Sequence, residues 1–142
     1  MSTRPRISFD SRGWCNACQW MEEKKTLDWG KRENELKIIF LSRITKKKNL
    51  LYALDVLVNN IYDGKIKFDI YGPIEDEIYW KKCEDIIIQA KHNIMIKYKG
   101  SVGPRNVMHI LSKNNVFFLP TKNENFGHAI VEAMQCGLVP II

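Results

Sequence analysis

The chain has 142 residues, of which 45% are hydrophobic and 27% are charged, a composition typical of a folded α/β protein. No apolar run approaches the roughly 18 residues of a membrane span, and no apolar stretch follows the polar, basic first residues. We therefore expect neither a transmembrane segment nor a signal peptide, and predict a cytoplasmic protein whose four cysteines are reduced.

The formal net charge of +6 is spread over basic residues that alternate with acidic ones. No basic motif interleaved with aromatic residues is present, so we expect no nucleic-acid partner. A phosphorylated ligand, or peripheral contact with the anionic inner face of a membrane, explains the charge equally well.

Residues 1–35 show little hydrophobic periodicity and contain the pair Cys15-Asn-Ala-Cys18 among three tryptophans. This segment resembles the amino terminus of N-acetyl sugar amidotransferases of bacterial surface-polysaccharide synthesis. The resemblance implies that Cys15 and Cys18 help to bind zinc. One such pair supplies two of the four ligands of a structural zinc site, so a reduced thiol pair is the alternative. We predict a domain boundary near residue 36, as in a fusion of two gene fragments.

From residue 36 the pattern is one of alternating strands and helices. Lys37 to Ser42 is predicted to be a strand, and an amphipathic helix begins after a basic turn that ends at Asn49. In this turn Arg43 and Lys48 can reach one bound diphosphate, the arginine by a bidentate fork and the lysine as a point charge. Lys46 and Lys47 are interpreted as solvated turn residues.

The middle of the chain continues the alternation. We predict, in order, a strand at 66–71, a turn at Gly72-Pro73, a helix at 74–90, a strand at 94–98 and a short helix from Pro104. Strands and helices at this spacing predict a parallel sheet with right-handed crossovers, hence a Rossmann-like α/β domain. The two cysteines of this region, Cys83 and Cys136, are expected to be buried thiols inside helices.

The last third contains two glutamates separated by seven residues, Glu124 and Glu132. An apolar strand at 116–119 stops at Pro120, a polar loop carries Glu124, and a helix that starts near Gly127 carries Glu132. Backbone N–H groups at the start of such a helix can hold a phosphate, and Gly127 lets the backbone approach it. Carboxylates accept hydrogen bonds from sugar hydroxyls. The arrangement predicts a phosphate flanked by hydroxyl-rich groups.

This segment, with Glu132-Ala-Met and Gly137-Leu-Val-Pro140, resembles the signature of the GT-B glycosyltransferases of family 4, also called group 1. The resemblance implies that residues 36–142 are part of the carboxyl-terminal, donor-binding domain of a GT-B fold. It further implies retaining transfer from a nucleotide-diphosphate sugar to a saccharide or lipid-linked acceptor in surface polysaccharide or lipopolysaccharide biosynthesis, without a required cofactor. An acceptor domain would lie outside this chain, and a final helix would follow residue 142.

The resemblance also assigns residue roles. Arg43, Lys48 and Glu124 would do the chemistry, with Glu124 on the transferred sugar and Glu132 on the ribose. Ser42 stands where the family usually has glycine. The donor site would comprise Arg43, Lys48, Gly72, Ser101, Val102, Glu124, Asn125, Phe126, Gly127 and Glu132. The alternative is a non-catalytic remnant of a gene fusion that binds nucleotide weakly or carries part of a zinc site.

Overall fold

The computed structural model describes residues 11–13, 15, 18–19, 21–22, 35–124 and 127–142. Within residues 35–142 the described chain forms five strands and four helices in alternation. In chain order they are β1 Glu35–Leu41, α1 Leu50–Asn59, β2 Lys65–Tyr71, α2 Glu77–Ile87, β3 Ile94–Gly100, α3 Val107–Ser112, β4 Val116–Phe118, α4 His128–Gln135 and β5 Val139–Ile141.

The five strands form one parallel sheet in the order β3-β2-β1-β4-β5. The order reverses at β1, which lies between β2 and β4, so that the chain winds in both directions from this strand. The predicted Rossmann-like parallel sheet is confirmed. In sheets of this kind the carboxyl ends of the two strands at the reversal flank a crevice where ligands bind.

The core is centred on β1. Its residues Ile38 to Leu41 are all buried, as expected of a central parallel strand covered on both faces. Phe40 of β1, Phe68 of β2 and Phe117 of β4 are fully buried. Burial of each such side chain stabilises the fold by about 1.5–3 kcal/mol, which holds the three strands around the reversal together.

Helices α1 and α2 pack against each other over one face of the sheet. The Leu51 N–H donates to the Tyr79 hydroxyl oxygen at 3.0 Å, and the rings of Trp80 and Tyr98 are 4.8 Å apart. Helix α2 begins three residues later than predicted because the Asp76 carboxylate caps it, accepting from the Tyr79 N–H at 2.9 Å.

Helices α3 and α4 contact each other on the opposite face. Helix α3 begins at Val107 and not at the predicted Pro104, because residues 104–106 form a turn. Cys136 is fully buried but lies just after α4, and its Sγ is 3.6 Å from the Met108 carbonyl oxygen. Cys83 is buried within α2, and this burial raises the pKa of its thiol to about 12, so that it stays protonated.

Of the predicted CxxC pair, Cys15 is half-buried and Cys18 is exposed, with their Sγ atoms 3.3 Å apart. Among the described residues, no three histidine, cysteine or acidic side chains cluster as a metal site would require. The zinc site and the domain boundary near residue 36 therefore stay predictions, and most of the residues concerned lie outside the described ones. No helix in the described ranges is long and apolar enough to cross a membrane.

Candidate functional site

The first half of the site is the β1–α1 turn, residues 42–49. Backbone N–H groups of Ser42 and Ile44 donate to the carbonyls of Tyr71 and Pro73, at 3.1 and 2.9 Å. The Ile44 side chain is fully buried, whereas its neighbour Arg43 is exposed. Because the buried isoleucine and the hydrogen bonds anchor the turn to the end of β2, Arg43 projects from a fixed backbone.

Gly72 makes this anchoring possible. Its φ is 141°, and a Cβ built on it would lie 1.8 Å from the Ser42 carbonyl oxygen. Its N–H donates to the Gly100 carbonyl at 2.9 Å, and its own carbonyl accepts from the Tyr98 hydroxyl at 2.7 Å. Glycine is therefore required here by the close approach of the β1 and β2 ends. The predicted contact with a nucleotide base stays a prediction.

The second half of the site is the β4–α4 loop, residues 119–127, of which Asn125 and Phe126 lie outside the described residues. This loop is tied to the β1–α1 turn through one carbonyl. The Lys47 carbonyl oxygen accepts from the Lys122 N–H at 2.9 Å and lies 3.3 Å from the Thr121 hydroxyl. The Thr121 hydroxyl is also 2.9 Å from the Asn123 carbonyl oxygen, so it closes the loop on itself.

An ion pair joins the two halves. The Lys48 Nζ and a Glu124 carboxylate oxygen are 2.6 Å apart, with the two side chains 14% and 26% exposed. A charge-assisted hydrogen bond of this length is strong for its type, and the partial burial limits its screening by salt. Two predicted site residues that are 76 positions apart along the chain thus contact each other directly.

A pocket of about 280 Å³ opens where the two halves meet. Arg43, Lys48 and Glu124, which were predicted to do the chemistry, all line it. Arg43 also forms an exposed contact of 3.4 Å with Glu75. The pocket wall is otherwise made by Thr45, Lys47, Asn123 and His128.

Thr45, Lys47 and Asn123 were not predicted as site residues, although each lies within a few positions of one that was. Lys47 is exposed in the turn, as predicted, but it also lines the pocket and its carbonyl anchors the loop. Three basic side chains against one carboxylate leave the pocket with an excess of positive charge, which suits a diphosphate.

Helix α4 begins at the edge of this pocket. Gly127 precedes it with φ 57° and ψ 32°, a left-handed conformation that favours glycine. A Cβ there would meet its nearest neighbour at an ordinary 3.5 Å. Backbone geometry and not lack of space therefore selects glycine. The first N–H groups of the helix have no intrahelical partner and carry the positive end of its dipole, which favours an anion.

The two glutamates of the seven-residue spacing differ in their relation to this pocket. Glu132 lies on α4 one turn beyond His128 and is not among the described residues that line the pocket. Burial raises the pKa of the Glu132 carboxyl, and the neighbouring His128 opposes this shift. Gly72, Ser101, Val102 and Gly127 are likewise absent from that lining, although Gly127 lies beside the Glu124 side chain. The donor contacts predicted for these residues stay predictions.

Comparison with known proteins gives consistent results. Residues 21–142 match the family described as glycosyl transferases group 1. A protein described as an uncharacterized 41.2 kDa protein in the cps region of Klebsiella pneumoniae is 30% identical over 112 residues, covering 78% of this chain and 28% of that protein. The GtfA subunit of the UDP-N-acetylglucosamine–peptide N-acetylglucosaminyltransferase of Streptococcus agalactiae is 27% identical, covering 81% of this chain and 21% of the subunit.

The fold is shared with solved glycosyltransferase-type structures. HepE from Anabaena, solved in complex with UDP-glucose, superimposes with a TM-score of 0.61 at 17% identity, covering 86% of this chain and 33% of HepE. The chain spans less than a third of the length of the two curated relatives, 28% and 21%. The family match covers most of the described residues and includes both halves of the pocket. The chain therefore belongs to the glycosyl transferases group 1 family.

Proposed function

We propose that this chain supplies the donor-binding half of a retaining glycosyltransferase that uses a nucleotide-diphosphate sugar and acts in bacterial surface-polysaccharide synthesis. The observation that carries the proposal is the meeting of Arg43, Lys48 and Glu124 in one pocket at the sheet reversal. Two cations and a helix amino terminus suit the diphosphate, and a carboxylate suits the sugar hydroxyls.

In this proposal the cations act on the leaving group. Negative charge develops on the diphosphate as the bond to the anomeric carbon breaks, and Arg43 and Lys48 stabilise that charge from fixed positions. The acceptor hydroxyl would be presented by residues outside this chain. We include among the partners a saccharide or lipid-linked acceptor, an acceptor domain, and the anionic inner face of the membrane.

When the donor binds, its diphosphate would replace Glu124 as the partner of Lys48. A diphosphate that binds the Lys48 ammonium competes with the Glu124 carboxylate, which lies 2.6 Å away. Once displaced, Glu124 can accept hydrogen bonds from the hydroxyls of the transferred sugar. The pair therefore links recognition of the diphosphate to recognition of the sugar.

The nucleotide and the pathway are proposed from the relatives. The Streptococcus agalactiae protein is named for UDP-N-acetylglucosamine, and the Anabaena structure is a complex with UDP-glucose. UDP is therefore the first nucleotide to test. The Klebsiella pneumoniae relative is placed in a cps region, and the amino-terminal resemblance to sugar amidotransferases also points to surface polysaccharides.

Calorimetric titration with UDP, UDP-glucose and GDP tests the proposal. We expect saturable UDP binding that Arg43→Ala weakens by about tenfold or more, the effect of losing a hydrogen bond to a charged group. Lys82→Ala, which removes one exposed charge from α2 far along the sequence, is the matched control and should leave binding unchanged.

Glu124→Gln separates the two roles within the pocket. It removes the competitor for Lys48, so UDP should bind at least as tightly as before, while any preference for UDP-glucose over UDP should fall. Failure of the folded chain to bind any nucleotide would overturn the proposal and favour the non-catalytic remnant.

A further inference from the structure

A second pocket, of about 240 Å³, lies on the sheet face that carries α3. Its wall includes Lys37 of β1, Lys67, Asp69 and Tyr71 of β2, Lys99 of β3 and Lys113 after α3. We call it the lysine cleft. None of the residues that line it lines the pocket proposed for the donor.

The strand register explains why charged residues gather there. Lys37 pairs with Lys67 across the parallel β1–β2 ladder, so both side chains emerge on the same face of the sheet. The alternate residues of β2, Ile66, Phe68 and Ile70, are buried on the other face. One strand thus has an apolar face toward α1 and α2 and a charged face toward the lysine cleft.

Asp69 is the unusual member of this face. It is only 6% exposed, and its Oδ2 lies 3.5 Å from the Lys67 Nζ. Its other oxygen, Oδ1, is buried and accepts no hydrogen bond from any described residue. Leaving a buried acceptor unsatisfied costs free energy, and buried carboxylates are as a rule fully hydrogen-bonded. This oxygen is closed off from water in the structure, so a hydrogen-bond donor in the cleft reaches it when the side chains around it move aside.

The composition of the wall narrows the class of ligand. Four lysines surround one aspartate, so a metal cation would be repelled and an anion attracted. An anion without hydroxyl groups would leave the Asp69 Oδ1 unsatisfied. Burial raises the pKa of the Tyr71 phenol, and the charge of Asp69 adds to the shift. Tyr71 therefore keeps its proton and can donate a hydrogen bond as well.

We propose that the lysine cleft is a second binding site, for a small phosphorylated sugar or polyol. The lysines would hold its phosphate, and the Asp69 Oδ1 would accept a hydrogen bond from one of its hydroxyls. This site is distinct from the pocket proposed for the nucleotide sugar, and it does not depend on that function.

The test is an NMR titration of the full chain carrying Arg43→Ala, a background that weakens anion binding at the other pocket. Glucose 1-phosphate, inorganic phosphate and glucose serve as probes. We expect saturable shifts of the Asp69, Tyr71 and Lys99 amides with glucose 1-phosphate, weaker binding of inorganic phosphate, and no binding of glucose. Each amide shift is assigned to a residue, so the measurement shows at which pocket a ligand binds. A lack of binding at the cleft is therefore distinguished from a lack of binding at the donor pocket.

Substitutions of two lysines and of Asp69 then assign the roles. Lys99 and Lys113 are exposed. Lys99→Ala and Lys113→Ala should each lower the affinity for glucose 1-phosphate and for inorganic phosphate by up to about fivefold, the range of an exposed ion pair. Lys82→Ala, on α2, should have no effect. Asp69→Asn should leave inorganic phosphate binding intact or stronger, because a negative charge is lost, while the preference for glucose 1-phosphate disappears.

The absence of saturable shifts at the cleft overturns the proposal. So does equal affinity for glucose 1-phosphate and inorganic phosphate in the chain with Asp69 intact, a comparison that does not require the Asp69→Asn protein to fold.

Discussion

The two halves of the donor pocket are built differently. The β1–α1 turn follows a strand of seven residues, buries Ile44 completely and is hydrogen-bonded to the end of β2. The β4–α4 loop follows a strand of three residues and is held to the turn by the Lys47 carbonyl and the Lys48–Glu124 pair. The turn is thus fixed by the core of the protein, whereas the polar part of the loop, which follows the buried Leu119 and Pro120, is tied to the turn.

The largest expected effect is a loss of stability at the β1–α1 turn. Gly72→Ala would place a Cβ 1.8 Å from the Ser42 carbonyl oxygen at a φ of 141°. We expect a loss of about 3 kcal/mol or more in the free energy of unfolding, because both backbone strain and a clash with backbone must be relieved. Chemical denaturation measures this loss.

Gly103→Ala is the matched control, since a Cβ there meets nothing within 4 Å. Its effect should stay within about 0.5 kcal/mol. If both variants were equally stable, the β1–α1 turn would not be fixed by the approach of Gly72 and Ser42.

The next largest effect is expected in the β4–α4 loop. Thr121→Val keeps the shape of the side chain but removes its hydroxyl. That hydroxyl lies 2.9 Å from the carbonyl oxygen of Asn123 and 3.3 Å from the carbonyl oxygen of Lys47. We expect destabilisation by about 1 kcal/mol, the typical worth of one hydrogen bond, together with weaker UDP-glucose binding. Denaturation and calorimetry measure the two effects.

Thr45→Val makes the same exchange in the β1–α1 turn and is the control for Thr121→Val. Its hydroxyl forms no hydrogen bond with another residue in the described part of the chain, so the free energy of unfolding should change less. A larger loss of stability at Thr45 would contradict the view that hydroxyl contacts hold the β4–α4 loop.

The ion pair between the halves should contribute less. A double-mutant cycle of Lys48→Met and Glu124→Gln is expected to give a coupling free energy of about 0.5–1 kcal/mol, because the side chains are only 14% and 26% exposed. The same cycle on Arg43 and Glu75, 63% and 43% exposed, should give a coupling close to zero. Equal couplings in the two pairs would argue against a preformed link between turn and loop.

The smallest expected effect is the pH dependence of stability that Glu132 causes. Burial raises the pKa of Glu132 in the folded state. Its contribution to stability is therefore complete below the unfolded pKa of about 4.3 and is lost as pH rises through the folded pKa. Glu132→Gln should abolish this loss, so that the variant gains stability over the natural chain as pH rises to neutrality.

Denaturation at a series of pH values measures the difference between Glu132→Gln and the natural chain. Glu84→Gln, at an exposed position on α2, controls for the loss of one charge. If the stability advantage of Glu132→Gln grew toward acid pH instead, the pKa of Glu132 would be lowered in the folded state and the prediction would be wrong.

Much of the fold follows from local pattern. The strand of β1 is a run of apolar residues, and the helical spacing of Leu50, Leu54 and Leu57 predicts α1 with its buried face. The convergence of Arg43 and Glu124 could also be anticipated, because the carboxyl ends of neighbouring parallel strands meet at one edge. The boundaries of α2 and α3 could not, since the Asp76 cap and the turn at 104–106 decide them through particular hydrogen bonds.

The sequence by itself determined the α/β alternation, the basic turn, the acidic loop and the family signature, because each depends on residues close together along the chain. Only the tertiary structure decided that the Lys47 carbonyl anchors the loop, that Lys48 pairs with Glu124, and that Glu132 is half-buried on α4. It also decided that Asp69 is buried among lysines. These features depend on strand order and register, which bring together side chains as many as 76 positions apart. Local periodicity carries no information about such distant pairs.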